Sequence, residues 1–125
     1  MNSLEAFAFA LATGLVLSMS TTCIAADDVI CTIARKPQEF DHKSVTLKGT
    51  AVNVKETTSR RGNDYTTFKL QDSTGWAVSI FTWGHPTLNN CGQVGVEGVF
   101  ETEHHQGRYT FYNEIQATKV TCLHR

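Results

Sequence analysis

YTTFKLQDSTGWAVSIFTW, residues Tyr65–Trp83, holds two short β-rich runs joined by a turn. In Tyr65–Gln71 strand alternation puts Thr66, Phe68 and Leu70 on one face and Tyr65, Thr67, Lys69 and Gln71 on the other. In Trp76–Trp83 it sets Trp76, Val78 and Ile80 against Ala77, Ser79, Phe81 and Trp83. Asp72-Ser73-Thr74-Gly75 between them is rich in turn-forming residues. The stretch therefore predicts an antiparallel hairpin with Phe68, Leu70, Val78 and Ile80 inside. Tyr65, Lys69, Phe81 and Trp83 are left outside.

The chain on either side repeats this style. Upstream, Ser44–Lys55 (SVTLKGTAVNVK) alternates apolar and polar residues, and Gly49 interrupts it as a glycine does where a long strand bends around a barrel corner. A polar loop, ETTSRRGND, connects it to the hairpin. Downstream, GHPTLNNCG is too short for more than a helical turn. It leads to a fourth strand, Gln93–Glu103, and through HHQG to a fifth, Arg108–Val120. A long glycine-bent strand followed by two hairpins predicts an all-β domain, a five-stranded OB-fold Greek-key barrel. Before it, Asp27–Asp41 predicts a short helix that Pro37 stops near Lys36, with Asp27 or Asp28 as the cap.

The first 26 residues read differently. AFAFALATGLVLSM, Ala6–Met19, is uncharged and apolar on every side, the length of a signal-peptide core and too short to span a membrane as a helix. The small residues of STTCIAADD that follow place cleavage after Ala25 or Ala26. This predicts two parts, a signal peptide over 1–26 and the barrel domain over 27–125, in a periplasmic or secreted protein with no transmembrane segment after cleavage. Lipidation of Cys23 is an alternative, as is a buried N-terminal helix of a cytosolic protein.

The 125-residue chain carries 11 Lys+Arg and 12 Asp+Glu. Removal of residues 1–26 takes away only Glu5, so the remainder is neutral with histidine uncharged. An indiscriminate polyanion binder would be basic. Cleavage also leaves Cys31, Cys91 and Cys122, enough for one disulfide and one odd thiol. Folded about His105-Gln106, the last hairpin brings Cys91 and Cys122 together at its open end, which predicts their bridge and leaves Cys31 as the odd thiol. The pairings Cys31–Cys91 and Cys31–Cys122 stay open.

RRGNDYTTFKLQDSTGWAVSIFTWG (60–84), VGVEGVF (94–100) and GRYTFYNEIQA (107–117) together resemble bacterial OB-fold proteins of the nucleic-acid-binding type, especially small exported members with a signal peptide and one such domain. The likeness covers roughly residues 43–120. It rests on F-x-L-x-D-x-x-G in the first hairpin and V-x-V-x-G-x-F on the fourth strand. The resemblance implies the fold and a nucleic-acid partner, although this fold also hosts oligosaccharide, small-ligand and structural roles.

A face of aromatic rings and a cation suits single-stranded DNA or RNA, because bases stack on rings while cations meet phosphates. The candidate binding residues are Tyr65, Lys69, Phe81 and Trp83, with Tyr112 of the fifth strand beside them. Arg60 and Arg61 in the first loop and Arg108 in the last are placed to close over a ligand. Tyr109, Phe111 and Ile115 share the other face of the fifth strand and are expected in the core. The competing expectation is that Phe81 and Trp83 are covered by the N-terminal helix or a second copy.

No G-x-S-x-G, H-E-x-x-H or P-loop occurs in the sequence, and Cys91 has no evident base nearby, so catalysis is not expected. His104-His105 is an adjacent pair whose side chains alternate on a strand, a poor chelator, and His42, His85 and His124 are scattered; no metal site is expected. Exported OB barrels that chaperone haem or metals carry a histidine motif that the tail Thr121–Arg125 does not reproduce, so no cofactor is assigned. The sequence thus predicts a non-enzymatic binding module for single-stranded nucleic acid. Its alternative is an envelope accessory protein that holds a small ligand, a glycan or a protein partner, including a second copy, on the same face.

Overall fold

The computed structural model describes Cys23 and residues 29–124. Apart from Cys23, the expected signal segment lies outside the described residues, as do the capping positions Asp27 and Asp28. The chain is mostly β, with two short helices, α1 (Val29–Arg35) and α2 (Pro37–Phe40). Five strands follow: β1 (Lys43–Thr58), β2 (Asp64–Gln71), β3 (Ala77–Trp83), β4 (Gln93–Gln106) and β5 (Tyr109–His124). They close on themselves as a barrel in the order β1-β2-β3-β5-β4, with β4 paired back to β1. Every pairing is antiparallel except β3 with β5, which run parallel from Ser79↔Glu114 to Thr82↔Ala117.

Pro37 ends α1 as expected, because the residue before a proline is pushed out of the helical region. Lys36 sits at φ −134° and ψ 60°, and Pro37 opens the single turn of α2. Ile30 and Ile33 of α1 are buried and join Leu47, Phe68, Ile80 and Phe100 in the barrel core. Full burial of such a side chain contributes about 1.5–3 kcal/mol, so α1 adds substantially to a small core. Phe68, Leu70, Val78 and Ile80 are all buried, as their alternation required.

β1 is long because it serves two neighbours. Lys43–Gly49 pairs with β4 and Thr50–Thr58 with β2, so the strand changes partner at Gly49, the predicted corner. A Cβ at Gly49 would stand 2.6 Å from the Gln71 carbonyl oxygen. β3 begins one residue later than expected. Asp72 Oδ1 accepts hydrogen bonds from the backbone N–H groups of Thr74 (2.9 Å) and Trp76 (3.0 Å), which keeps Trp76 in the turn.

The β4–β5 hairpin turns two residues beyond the expected centre. Gln106 pairs with Tyr109, leaving Gly107-Arg108 as a two-residue loop with Gly107 at φ 64°, a conformation such tight loops reserve for glycine. Its open end still brings Cys91 to Cys122, which are bridged with Cα atoms 5.8 Å apart. A closure of this span typically contributes about 2–4 kcal/mol. Cys31 is not the odd thiol: it is bridged to Cys23, across a Cα separation of 6.0 Å. Among the described residues no cysteine is free, and no helix is long and apolar enough to cross a membrane.

Candidate functional site

The β2–β3 register sets Tyr65 opposite Trp83, Thr67 opposite Phe81, and Lys69 opposite Ser79, all on the outer face. The three rings form one cluster. Tyr65 stacks on Phe81 with centroids 5.4 Å apart, and Trp83 meets Phe81 edge-on at 5.0 Å and Tyr65 edge-on at 6.2 Å. Trp83 is 55% exposed, whereas Phe81, expected at the surface, is only 9% exposed. Phe81 does lie on the outer face. It is buried there because its neighbours' rings pack against it, and it serves as a floor for them.

Two asparagines bring further side chains to this face. Asn53 has φ 55°, and the β1–β2 register slips between Val52 and Lys55. Ala51 opposes the core residue Leu70, whereas beyond the bulge Lys55 opposes Thr67 and Thr57 opposes Tyr65. Odd-numbered residues thus pass from the inner face to the outer one, as one extra residue in a strand requires. Asn113, at φ 52°, marks the point where β5 leaves its pairing with β3 at Glu114. Beyond it Tyr109 and Phe111 turn out beside Phe81 and Trp83 instead of following Ile115 into the core. Asparagine tolerates the left-handed conformation better than most residues, which explains its presence inside both strands.

The result is a groove of about 460 Å³ lined by Lys55, Thr57 and Ser59 of the β1 end, Tyr65, Thr67, Phe81 and Trp83 of the hairpin, and Gln106, Tyr109 and Phe111 of the β4–β5 arm. Through Lys55, Thr67 and Phe111 it continues into a second stretch of about 320 Å³ that reaches Lys69, Ser79 and Glu114. From Trp83 to Ser79 the trough follows β3 for roughly 13 Å, at about 3.3 Å per residue. Its walls are rings and hydroxyls, with a lysine in each stretch.

Glu114 is the one acid lining these two stretches, and it is 7% exposed. Burial pushes its carboxyl above the ordinary glutamate value. A hydrogen bond from Gln116 Nε2 at 2.7 Å and the nearby His104 act in the opposite sense, and Glu101 adds repulsion. Glu101 itself gathers two histidines, with His104 Nδ1 at 2.7 Å and His42 Nδ1 at 3.9 Å. Among the described residues no group of three or more histidine, cysteine or acidic side chains is arranged to hold a metal ion.

The structure brings together Tyr65, Phe81 and Trp83, and places Lys69 in the adjoining stretch. Arg60 and Arg61 do not line the groove. They sit at the exposed tip of the β1–β2 loop, which is closed beneath them by the Ser59 N–H to the Asn63 carbonyl at 2.8 Å. Arg108 occupies the matching tip of the β4–β5 arm. Tyr112 lines neither stretch but a neighbouring depression with Ile33, Ala34 and Pro37 of the helices, which adjoins the second stretch through Lys69 and Ser79. Neither helix lies over Trp83. Sequence alternation missed Lys55, Thr57, Tyr109 and Phe111, and the available signal was an asparagine, poorly suited to strands, inside AVNVK and FYNEI.

No protein-family model matches this chain, and no curated protein matches it.

Proposed function

We propose that this chain is an exported OB-fold protein that binds single-stranded nucleic acid, without catalysis, in the groove between its β1–β2 and β4–β5 hairpins. The observation that carries this reading is the Tyr65–Phe81–Trp83 cluster with Tyr109 and Phe111 across the groove from it. The strand order, with β3 parallel to β5, is what a five-stranded Greek-key barrel of this kind requires. In such barrels the outer face of the second and third strands and the two flanking loops take extended oligomers. Stacking on an exposed ring is worth about 1–3 kcal/mol per base and tolerates any sequence. Lys55 and Lys69 line the trough, and with the arginines at both hairpin tips they supply cations of the kind that phosphates pair with.

Export is supported by the charge-free stretch Ala6–Met19 and by the two disulfides, which persist in oxidising compartments. The neutral charge of residues 27–125 favours a second reading, a glycan, small ligand or envelope protein held on the same rings. The polar side chains of Thr57, Ser59, Thr67 and Gln106 between those rings suit sugar hydroxyls.

Titration of the oxidised protein with oligo-dT, followed by tryptophan emission in a Trp76→Phe background, separates the two. Saturable quenching of Trp83 that weakens with salt, at a log–log slope of about −0.7 per phosphate contacted, supports nucleic acid. Absence of quenching at low salt, or quenching by neutral oligosaccharides that salt leaves unchanged, contradicts it and favours the second reading.

A further inference from the structure

We propose that export processing cuts the chain between Ser20 and Thr21, ahead of Cys23, so that the mature protein keeps Cys23 and joins it to Cys31. Cleavage after Ala25 or Ala26 would discard Cys23. It would leave a thiol on Cys31, which is 4% exposed on the core-facing side of α1. The structure instead bridges Cys31 to Cys23, with a Cα separation of 6.0 Å that suits a disulfide.

The sequence just upstream offers the alternative cut. Ser18 and Ser20 put small residues at the third and first positions before the bond, the spacing a signal peptidase reads. The apolar stretch Ala6–Leu17 that remains is still within the ~7–15 residues of a signal-peptide core. Retaining Cys23 makes the cysteine number even, with both pairs accounted for. Lipidation of Cys23 is incompatible with this arrangement, because a thioether sulfur cannot also form a disulfide.

Two reactions are involved. Water hydrolyses the Ser20–Thr21 peptide bond, giving the Ser20 carboxylate and a new Thr21 amine. The thiols of Cys23 and Cys31 then lose two protons and two electrons to a dithiol–disulfide oxidoreductase of the export compartment, whose own disulfide is reduced to a dithiol. The bond ties the new N-terminus to α1, whose isoleucines complete the barrel core.

This inference rests on the export reading, and one experiment separates the two. The full chain is expressed with its own leader, and the exported product is alkylated, reduced, alkylated with a second reagent, and then sequenced from the N-terminus and weighed. The expected product begins at Thr21, takes no label before reduction and takes four after it. A product beginning at Ala26 or Asp27 with one thiol open to the first reagent after denaturation overturns the placement but leaves export standing. So does the mass of a diacylglyceryl group on Cys23. A chain that keeps residues 1–20 overturns both. In Cys23→Ser the expected product gains one labelled thiol at Cys31, and a labelling pattern identical to the parent contradicts the bridge.

Discussion

The Tyr65 ring lies over Phe81 at a centroid separation of 5.4 Å, with the two planes 23° from parallel. One ring comes from β2 and the other from β3, so the antiparallel register itself builds the stack. Trp83 then stands edge-on to both and keeps more than half of its surface in solvent. A buried ring holding two partly exposed ones gives a rigid platform, which loses little side-chain freedom when a flat ligand settles on it.

Replacing Trp83 by alanine is expected to weaken oligo-dT binding by about 1–3 kcal/mol, roughly 5- to 150-fold, while the far-ultraviolet circular dichroism is unchanged. Tyr65→Ala should act in the same direction. Tyr112→Ala, on a side chain that adjoins the trough only through Lys69 and Ser79, should weaken binding less than either. Equal affinities for all three variants and the parent would remove the platform from the account.

Asn113→Val should lower stability by about 1–2 kcal/mol, because a β-branched residue resists φ 52°, and should also weaken binding as Tyr109 and Phe111 lose their placement. Asn113→Gly should keep both properties near those of the parent. Thermal melting and titration of the pair make the check; a valine variant indistinguishable from the glycine one would show that the kink does not aim the arm.

Gly49→Ala places a methyl group 2.6 Å from the Gln71 carbonyl oxygen, at the corner where β1 changes partner. The backbone must shift to admit it, and a cost of about 1–3 kcal/mol is expected in urea unfolding. A melting curve superimposable on the parent's would show that the corner tolerates a side chain.

Two carboxyls give opposite pH dependences. Glu114 is raised above 4.5 by burial, so the folded state holds its proton more tightly than the unfolded chain does. Stability from this group is complete below pH 4.5 and falls as pH rises toward the raised folded value. Asp41 is lowered below 3.8, chiefly by the Thr102 backbone N–H that donates to its Oδ1 at 2.9 Å. Its stabilisation is present above pH 3.8 and is lost as pH falls through the lowered folded value. Glu114→Gln should therefore gain stability relative to the parent as pH rises from about 4.5, and the difference should be constant below it. Parallel melting temperatures across that range would contradict the assignment.

The reach of the sequence follows from what alternation can see. Between Tyr65 and Trp83 nothing interrupts the period of two, and the core residues Phe68, Leu70, Val78 and Ile80 were legible, as was the corner at Gly49. Tyr109 and Phe111 keep the parity of Ile115, but the β4–β5 arm runs past the last pairings with β3 (Ser79↔Glu114) and β1 (Lys43↔Phe100), so alternation alone misplaced them in the core. Lys55 and Thr57 were hidden by the bulge at Asn53. Phe81 was on its expected face, yet its burial depends on two neighbouring rings and not on strand parity. The Cys91–Cys122 pairing is legible despite a two-residue shift of the hairpin centre, because both cysteines lie at its open end. The Cys23–Cys31 bridge is not legible in the sequence, because a cleavage after Ala25 or Ala26 falls between its two halves.

The most direct test of the groove is amide chemical-shift mapping of the oxidised protein during titration with a short oligo-dT. The account predicts saturable shifts concentrated at Lys55, Tyr65, Thr67, Phe81, Trp83 and Phe111, with the far side of the barrel around Val94–Val96 undisturbed. Shifts confined to the arginine tips, spread evenly over the surface, or absent at low salt would contradict it.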